Sequence, residues 1–260
     1  HLSVRRQRQM CIRDRLPTMA SLADFESMAL DRHPSLRMAA ARINEARGDQ
    51  RQAGLWPNPM VGYSGEEMGN RGTTGMQSGF VWQKIVMGRK LKLASQVAAG
   101  RVAEQQHLAK VSRTRVLNDV RVRYYDTLVA QQRVELTRKM SQLGEELAQA
   151  TARLVEAKQV SANSLLLSEI SAEQGRAMLE NSRNELIEAR RLLAFSVGDI
   201  DLKVGELDGN VTADLPDMTW EDCRKLVLDD HPALAAARVR LSTAGEERNR
   251  QKRLVVPDID

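Results

Sequence analysis

"HPSLRMAAARINEARG", residues 33–48, returns at residues 231–246 as "HPALAAARVRLSTAGE", 198 positions further on. At that offset Pro34 meets Pro232, Leu36 meets Leu234, Arg42 meets Arg240 and Ala46 meets Ala244. Upstream, Asp24, Leu30 and Asp31 meet Asp222, Leu228 and Asp229; downstream, Pro59 meets Pro257. Self-similarity at a fixed period marks a repeated supersecondary unit, and it governs how the text between the copies is read. Each copy predicts a short helix, a His-Pro break with proline at the first helical position, and a longer helix. "PNPMV" or "VPDID" then opens a strand. The second copy has only begun by Asp260, so the sequence predicts two structural repeats, the second truncated.

Between the copies, prolines are absent from residue 60 to residue 215. From Gly88 to Ala157 only Gly100 and Gly144 interrupt helix-forming residues. A helix of that length spans roughly 100 Å, far beyond an ordinary globular helix. Near its end Leu136, Met140, Leu143, Leu147, Ala150 and Leu154 take heptad spacing. After "AKQVSANS" a second helix runs to Val197 and "VGD" ends it. The pair predicts a long antiparallel coiled-coil hairpin, helices 89–157 and 163–197, with its tip at Lys158, Gln159, Val160, Ser161, Ala162 and Asn163.

The stretch from Pro57 to Gly88 is glycine-rich and lacks helical periodicity. It predicts strands over 59–67 and 76–86, joined by the turn-rich "MGNRGTTG". On the second strand Phe80, Trp82 and Val86 share one face, the candidate lipid-facing one. The fold class is thus mainly α, with long coiled-coil helices and a β-hairpin. Six segments follow: 1–15; N-terminal helices of repeat one, 16–58; the hairpin, 59–87; the long coiled-coil hairpin, 88–200; a linker, 201–218; and the start of repeat two, 219–260.

Composition narrows the function classes. "RRQRQMCIRD", residues 5–14, reads back through the genetic code as an in-frame transposase adapter, so residues 1–15 are expected to be foreign to the natural chain. Without their five arginines and one aspartate, 34 basic residues face 33 acidic ones. The basic balance then gives no reason to expect nucleic acid as a partner. A signal sequence, expected upstream, is missing from this stretch. Cys11 falls in the same segment, which leaves Cys223 alone and no disulfide or metal framework. No run of 18 uncharged apolar residues occurs, so no transmembrane helix is expected.

Side chains that could carry chemistry read more simply as structure. His33 and His231 each precede a proline, Pro34 and Pro232, and no Cys, Asp or Glu stands at ligand spacing; they are helix starts. His107 in "EQQHLAK" is a solvated helix position. The methionines are scattered and suit packing better than a metal relay. "RVRYYDTLVAQ" reads as interhelix packing, and Arg121, Arg123, Arg133 and Arg138 as a solvated face. "GNRGTTG" lacks the GK[ST] or GxGxxG that a phosphate loop needs. No nucleophile–base constellation appears, so neither an enzyme nor a cofactor is expected. The tip differs: Val160, Ser161 and Ala162 put apolar and small side chains at a turn where charge would be cheaper, which suits docking.

The succession "HPSL…QAGLWPNP", "FVWQKIVMGRKLKLA", "RYYDTLVAQ", "EAKQVSANSLLLSE" and "HPAL…VPD" resembles the TolC-like outer membrane efflux proteins, or outer membrane factors. Within them it is most similar to the metal-cation branch of CzcC/CusC type, over essentially all of residues 16–260. His33 and His231 depart from the asparagine common there. The resemblance implies a homotrimer: two hairpins give too few strands to close a membrane barrel, which needs at least about eight. It implies a shared β-barrel in outer membrane lipid and a helical periplasmic tunnel below. It also implies a periplasmic adaptor, or membrane fusion protein, meeting the tip at Lys158–Asn163, and an inner-membrane pump. The function so implied is a passive export duct of a tripartite efflux or secretion system. The alternative is a coiled-coil envelope scaffold without a pore.

Overall fold

The computed structural model describes residues 19–66, 75–211 and 218–259. The turn "GNRGTTG" and the adapter-like segment lie outside these, apart from Gly75. The elements are β1 (Met19–Ala20), α1 (Leu22–Arg32), α2 (Pro34–Ala53), β2 (Met60–Glu66) and β3 (Met76–Trp82). There follow α3 (Lys90–Glu156), α4 (Ala162–Val197), β4 (Glu206–Leu207), α5 (Trp220–Asp230) and α6 (Pro232–Arg253). Helices α1–α2 and α5–α6 begin at positions separated by the repeat offset. Two compact units result: one takes residues up to Leu36 with Arg113–Asp217, the other Arg37–Ser112 with Met218 onward.

In the first unit, α1 starts with a capping box. The Ser21 N–H donates to the Asp24 carboxylate at 3.0 Å and the Ser21 hydroxyl at 2.8 Å, and the two hold its pKa below the usual range. Phe25 and Ala29 then bury one face of α1 against Val116, Val120, Tyr124 and Leu128 of α3, Leu193 and Val197 of α4, and Leu207. The Phe25 and Tyr124 rings sit 5.8 Å apart, and the Tyr124 hydroxyl donates to the Asp208 carbonyl. Burying side chains of this size stabilises by about 1.5–3 kcal/mol each, so this cluster is the unit's anchor. Strands β1 and β4 pair in parallel, Ala20 opposite Leu207. Gln131 of α3 bonds both the N–H and the carbonyl of Leu207, at 3.1 and 3.3 Å.

The two long helices pack on small side chains. A Cβ at Gly144 would lie 3.3 Å from the Ala172 Cα, and one at Gly175 would lie 3.3 Å from the Ser141 Cα. These reciprocal approaches fix an antiparallel register. Seven residues further along each helix, the same register places Val134 opposite Ser182, and both are buried. The seam on α4 runs through Ser168, Ala172, Gly175, Leu179, Ser182, Leu186 and Ala189 in alternating steps of four and three. Its hydroxyls are satisfied within their own helix, Ser168 by the Leu165 carbonyl at 2.8 Å and Ser182 by that of Met178 at 2.9 Å. The leucine heptad is therefore not the seam. Leu136, Leu143 and Leu147 are 60%, 64% and 57% exposed while Ser141 is 4% exposed.

In the second unit, α3 lies against α6 at Gly100, where a Cβ would come within 2.2 Å of the Thr243 hydroxyl oxygen. Strands β2 and β3 form an antiparallel hairpin with Met60 opposite Trp82 and Glu66 opposite Met76. Beyond it, Ile85 bridges Ile259 antiparallel through bonds of 2.7 and 3.1 Å. The strand expected over 76–86 stops at Trp82, because the backbone at Ile85 pairs with Ile259 instead. Val86 thus lies outside the hairpin and is half-buried, which corrects its placement on a strand face.

Candidate docking tip and membrane hairpin

Two residues past the end of α3, Lys158 is a non-glycine residue in the left-handed region at φ 56°. The Lys158 N–H donates to the Val155 carbonyl and the Gln159 N–H to that of Leu154, each at 2.9 Å, which satisfies carbonyls that a helix end would orphan. Ser161 caps α4 with an extended backbone; its carbonyl accepts from the Ser164 N–H at 3.0 Å. Ala162 and Asn163 are accordingly the first residues of α4, so the turn is shorter than the Lys158–Asn163 span. All six tip residues are exposed, Val160 among them. Ion pairs hold the two helices across the seam higher up, Arg176 to Glu145 and Arg133 to Glu185, both at 2.8 Å. The tip itself offers packing surface and hydrogen-bonding groups, and among the described residues it carries no ion pair.

The hairpin presents two faces. Trp82, Phe80, Ser78 and Met76 share one with Met60, Gly62, Ser64 and Glu66; Val61, Tyr63 and Val81 lie on the other. The Phe80 ring covers Gly62, where a Cβ would meet it at 2.2 Å, so glycine there makes room for the aromatic. Ser64 and Ser78 hydrogen-bond each other at 2.7 Å. Large apolar residues on both faces are exposed, Phe80 at 48% and Val81 at 74%, so neither is covered by the rest of the chain.

At the base of the hairpin Asp258 gathers three donors: Lys90 Nζ at 2.6 Å, Lys84 Nζ at 3.3 Å and the Met87 N–H at 3.2 Å. Lys90, then the desolvation it opposes, sets the balance, and the carboxyl is held below its usual pKa. The residues meet across 168 positions of sequence, and no local pattern announces it. His33 and His231 cap α2 and α6, each ring Nδ1 accepting a backbone N–H at 3.2 Å, from Ser35 and from Ala233. Pro34 and Pro232 occupy the first helical positions behind them. Among the described residues no group of three or more His, Cys, Asp or Glu could hold a metal, and no helix is long and apolar enough to cross a membrane.

No protein-family model matches the chain. Over 233 residues it is 27% identical to the cobalt-zinc-cadmium resistance protein CzcC of Cupriavidus metallidurans, covering 86% of this chain and 54% of that protein. The fold matches the channel protein CusC with a TM-score of 0.71 at 16% identity, over 86% of this chain and 54% of the other. It matches the outer membrane protein VceC of Vibrio cholerae with a TM-score of 0.69 at 16% identity, over 91% and 60%. The chain spans little more than half the length of these relatives. The resemblance to the TolC-like outer membrane efflux proteins holds in both sequence and fold.

Proposed function

We propose that this chain, TolC-like in fold, is the outer membrane channel subunit of a tripartite efflux or secretion system. One observation carries the reading: the chain has two elements that it leaves unpartnered on itself. The β2–β3 hairpin exposes apolar residues on both faces, and the helical hairpin exposes a leucine heptad beside its small-residue seam. An open hairpin in lipid must pair its edges, and exposed apolar stripes of this length mark interfaces. A homotrimer with a shared barrel in the outer membrane and a helical tunnel extending into the periplasm satisfies both. Phe80 and Trp82 then face lipid, with Ser64 and Ser78 satisfied by each other. Transport through the water-filled duct is passive and is driven by an inner-membrane pump.

The tip Lys158–Asn163 is where a periplasmic adaptor docks, by packing rather than by charge. Small side chains at Ser161 and Ala162 let two helical tips abut, and Val160 supplies an apolar contact. The test is export in cells carrying full-length Val160→Asp or Arg138→Asp, with trimer level in the outer membrane measured alongside. A carboxylate at 160 is buried against the partner at a cost of several kcal/mol, so export falls while the trimer persists. Arg138→Asp removes only an exposed pair with Glu135 at 2.7 Å, worth little, and exports normally. Normal export by Val160→Asp, or loss explained by loss of the trimer, overturns the docking assignment.

A further inference from the structure

Three cations line one cavity just past the hairpin, and none has a side-chain partner among the described residues. Arg89, Lys92 and Arg253 surround a space of about 430 Å³ together with Gly88, Leu93 and Gln96. Among the described residues their side chains make no ion pair or hydrogen bond, whereas the neighbouring Lys84 and Lys90 are both taken up by Asp258. Arg89 and Lys92 also stand at the start of α3, whose first turn carries no acidic residue. Aligned peptide dipoles make that end positive, where cations are disfavoured and anions stabilised. A sequence that places unpaired cations there leaves a site complementary to an anion.

The surroundings favour one source for it. Trp82 ends β3 opposite Met60, and the Gln83 side chain donates to the Pro57 carbonyl at 3.2 Å, which brings Trp56 to the same end of the hairpin. Trp56 and Trp82 are 53% and 38% exposed, and Ile85 and Met87 beside them are exposed as well. Exposed tryptophans at the end of a hairpin that is followed within a few residues by cations, as Trp82 is by Arg89 and Lys92, are what the boundary between acyl chains and headgroups selects. We propose that this cavity binds the phosphate of an anionic phospholipid at the membrane surface. Arg89 and Arg253 donate in the forked geometry that fits phosphate oxygens, Lys92 adds a point charge, and Leu93 with Met87 offers apolar surface toward the acyl chains. The proposal rests on the hairpin being membrane-embedded.

The experiment measures lipid retention by native mass spectrometry on the full-length protein in neutral detergent. The probes are phosphatidylglycerol, phosphatidylcholine and inorganic phosphate. The protein is expected to retain phosphatidylglycerol over phosphatidylcholine, and Arg89→Gln/Lys92→Gln/Arg253→Gln to weaken that retention by about tenfold or more. Lys110→Gln/Arg113→Gln/Arg115→Gln, which removes equal charge from an exposed stretch of α3, is expected to leave it unchanged. Equal retention of the two lipids, or an unaffected triple variant, overturns the proposal. So does displacement of the lipid by millimolar inorganic phosphate, which would mark a free-anion site. The part of the tryptophan quenching by brominated lipid that is lost on Trp82→Phe reports embedding separately. Quenching without phosphatidylglycerol preference defeats this proposal alone; absence of quenching defeats the membrane reading as well.

Discussion

Replacing Gly100 with alanine sets helix propensity against packing, and the geometry decides the sign. Alanine in a helix interior gains about 1 kcal/mol over glycine. Here the added methyl would meet the Thr243 hydroxyl oxygen at 2.2 Å and its Cγ2 at 3.0 Å. Thr243 cannot swing aside easily: it is 8% exposed, its χ1 is restricted by the β-branch, and its hydroxyl donates to the Val239 carbonyl at 2.8 Å. Overpacking of this kind costs about 1–3 kcal/mol. The net expectation is a loss of about 1 kcal/mol in an otherwise unchanged chain. Against Thr243→Ala the hydroxyl and methyl are gone and only a Cβ contact of 3.1 Å remains, so the same substitution should become neutral to stabilising. The assay is a double-mutant cycle of urea midpoints, with an expected coupling of about 1–2 kcal/mol. If Gly100→Ala changes stability equally in both backgrounds, α3 and α6 do not meet here and the packing of the repeat against α3 is misread.

Three further outcomes follow from particular residues. Lys158→Gly relieves a left-handed backbone at the end of α3 and should raise hairpin stability by about 1 kcal/mol, read from thermal melts beside Gln159→Gly, which should not. The Asp258 carboxyl is depressed in the fold, so its contribution is present at neutral pH and is lost as the pH falls through its folded value, below the ordinary carboxylate range. Amide protection at Ile85 and Ile259 should drop over that acid range, and Asp258→Asn should remove the dependence. Phe80→Asp should hinder membrane assembly, at a cost below the roughly 2–4 kcal/mol of an arginine or lysine at the bilayer midplane, whereas Val81→Asp should be tolerated; the reverse result would turn the hairpin's faces around.

Much of the architecture was legible in the sequence because its signals are local. The proline-free run and the "VGD" stop predict helices 89–157 and 163–197, against an observed Lys90–Glu156 and Ala162–Val197. The repeat predicts α5 and α6 from α1 and α2, down to the histidine before each proline. The seam was not legible, for a physical reason. Hydrophobic spacing finds the face that a helix must cover; it does not say what covers it. Leu136, Leu143 and Leu147 mark such a face, while the helices meet on Gly144, Gly175, Ser141 and Ala172, which carry no hydrophobic signal. The Asp258 cluster and the Ile85–Ile259 bridge escaped for another reason, since both depend on residues far apart in the sequence, 168 positions for Lys90 and Asp258. At the tip, composition indicated exposure, but the left-handed Lys158 stands where glycine would ordinarily end a helix.

On the function we propose, this chain conducts only once it has assembled with copies of itself. The most direct test purifies the full-length protein from the outer membrane in mild detergent, determines its mass, and records the same sample in planar bilayers. A trimer that conducts is expected, with Phe80→Asp reducing both trimer and conductance together. A monomer that conducts ions, or a stable trimer that never does, would contradict it.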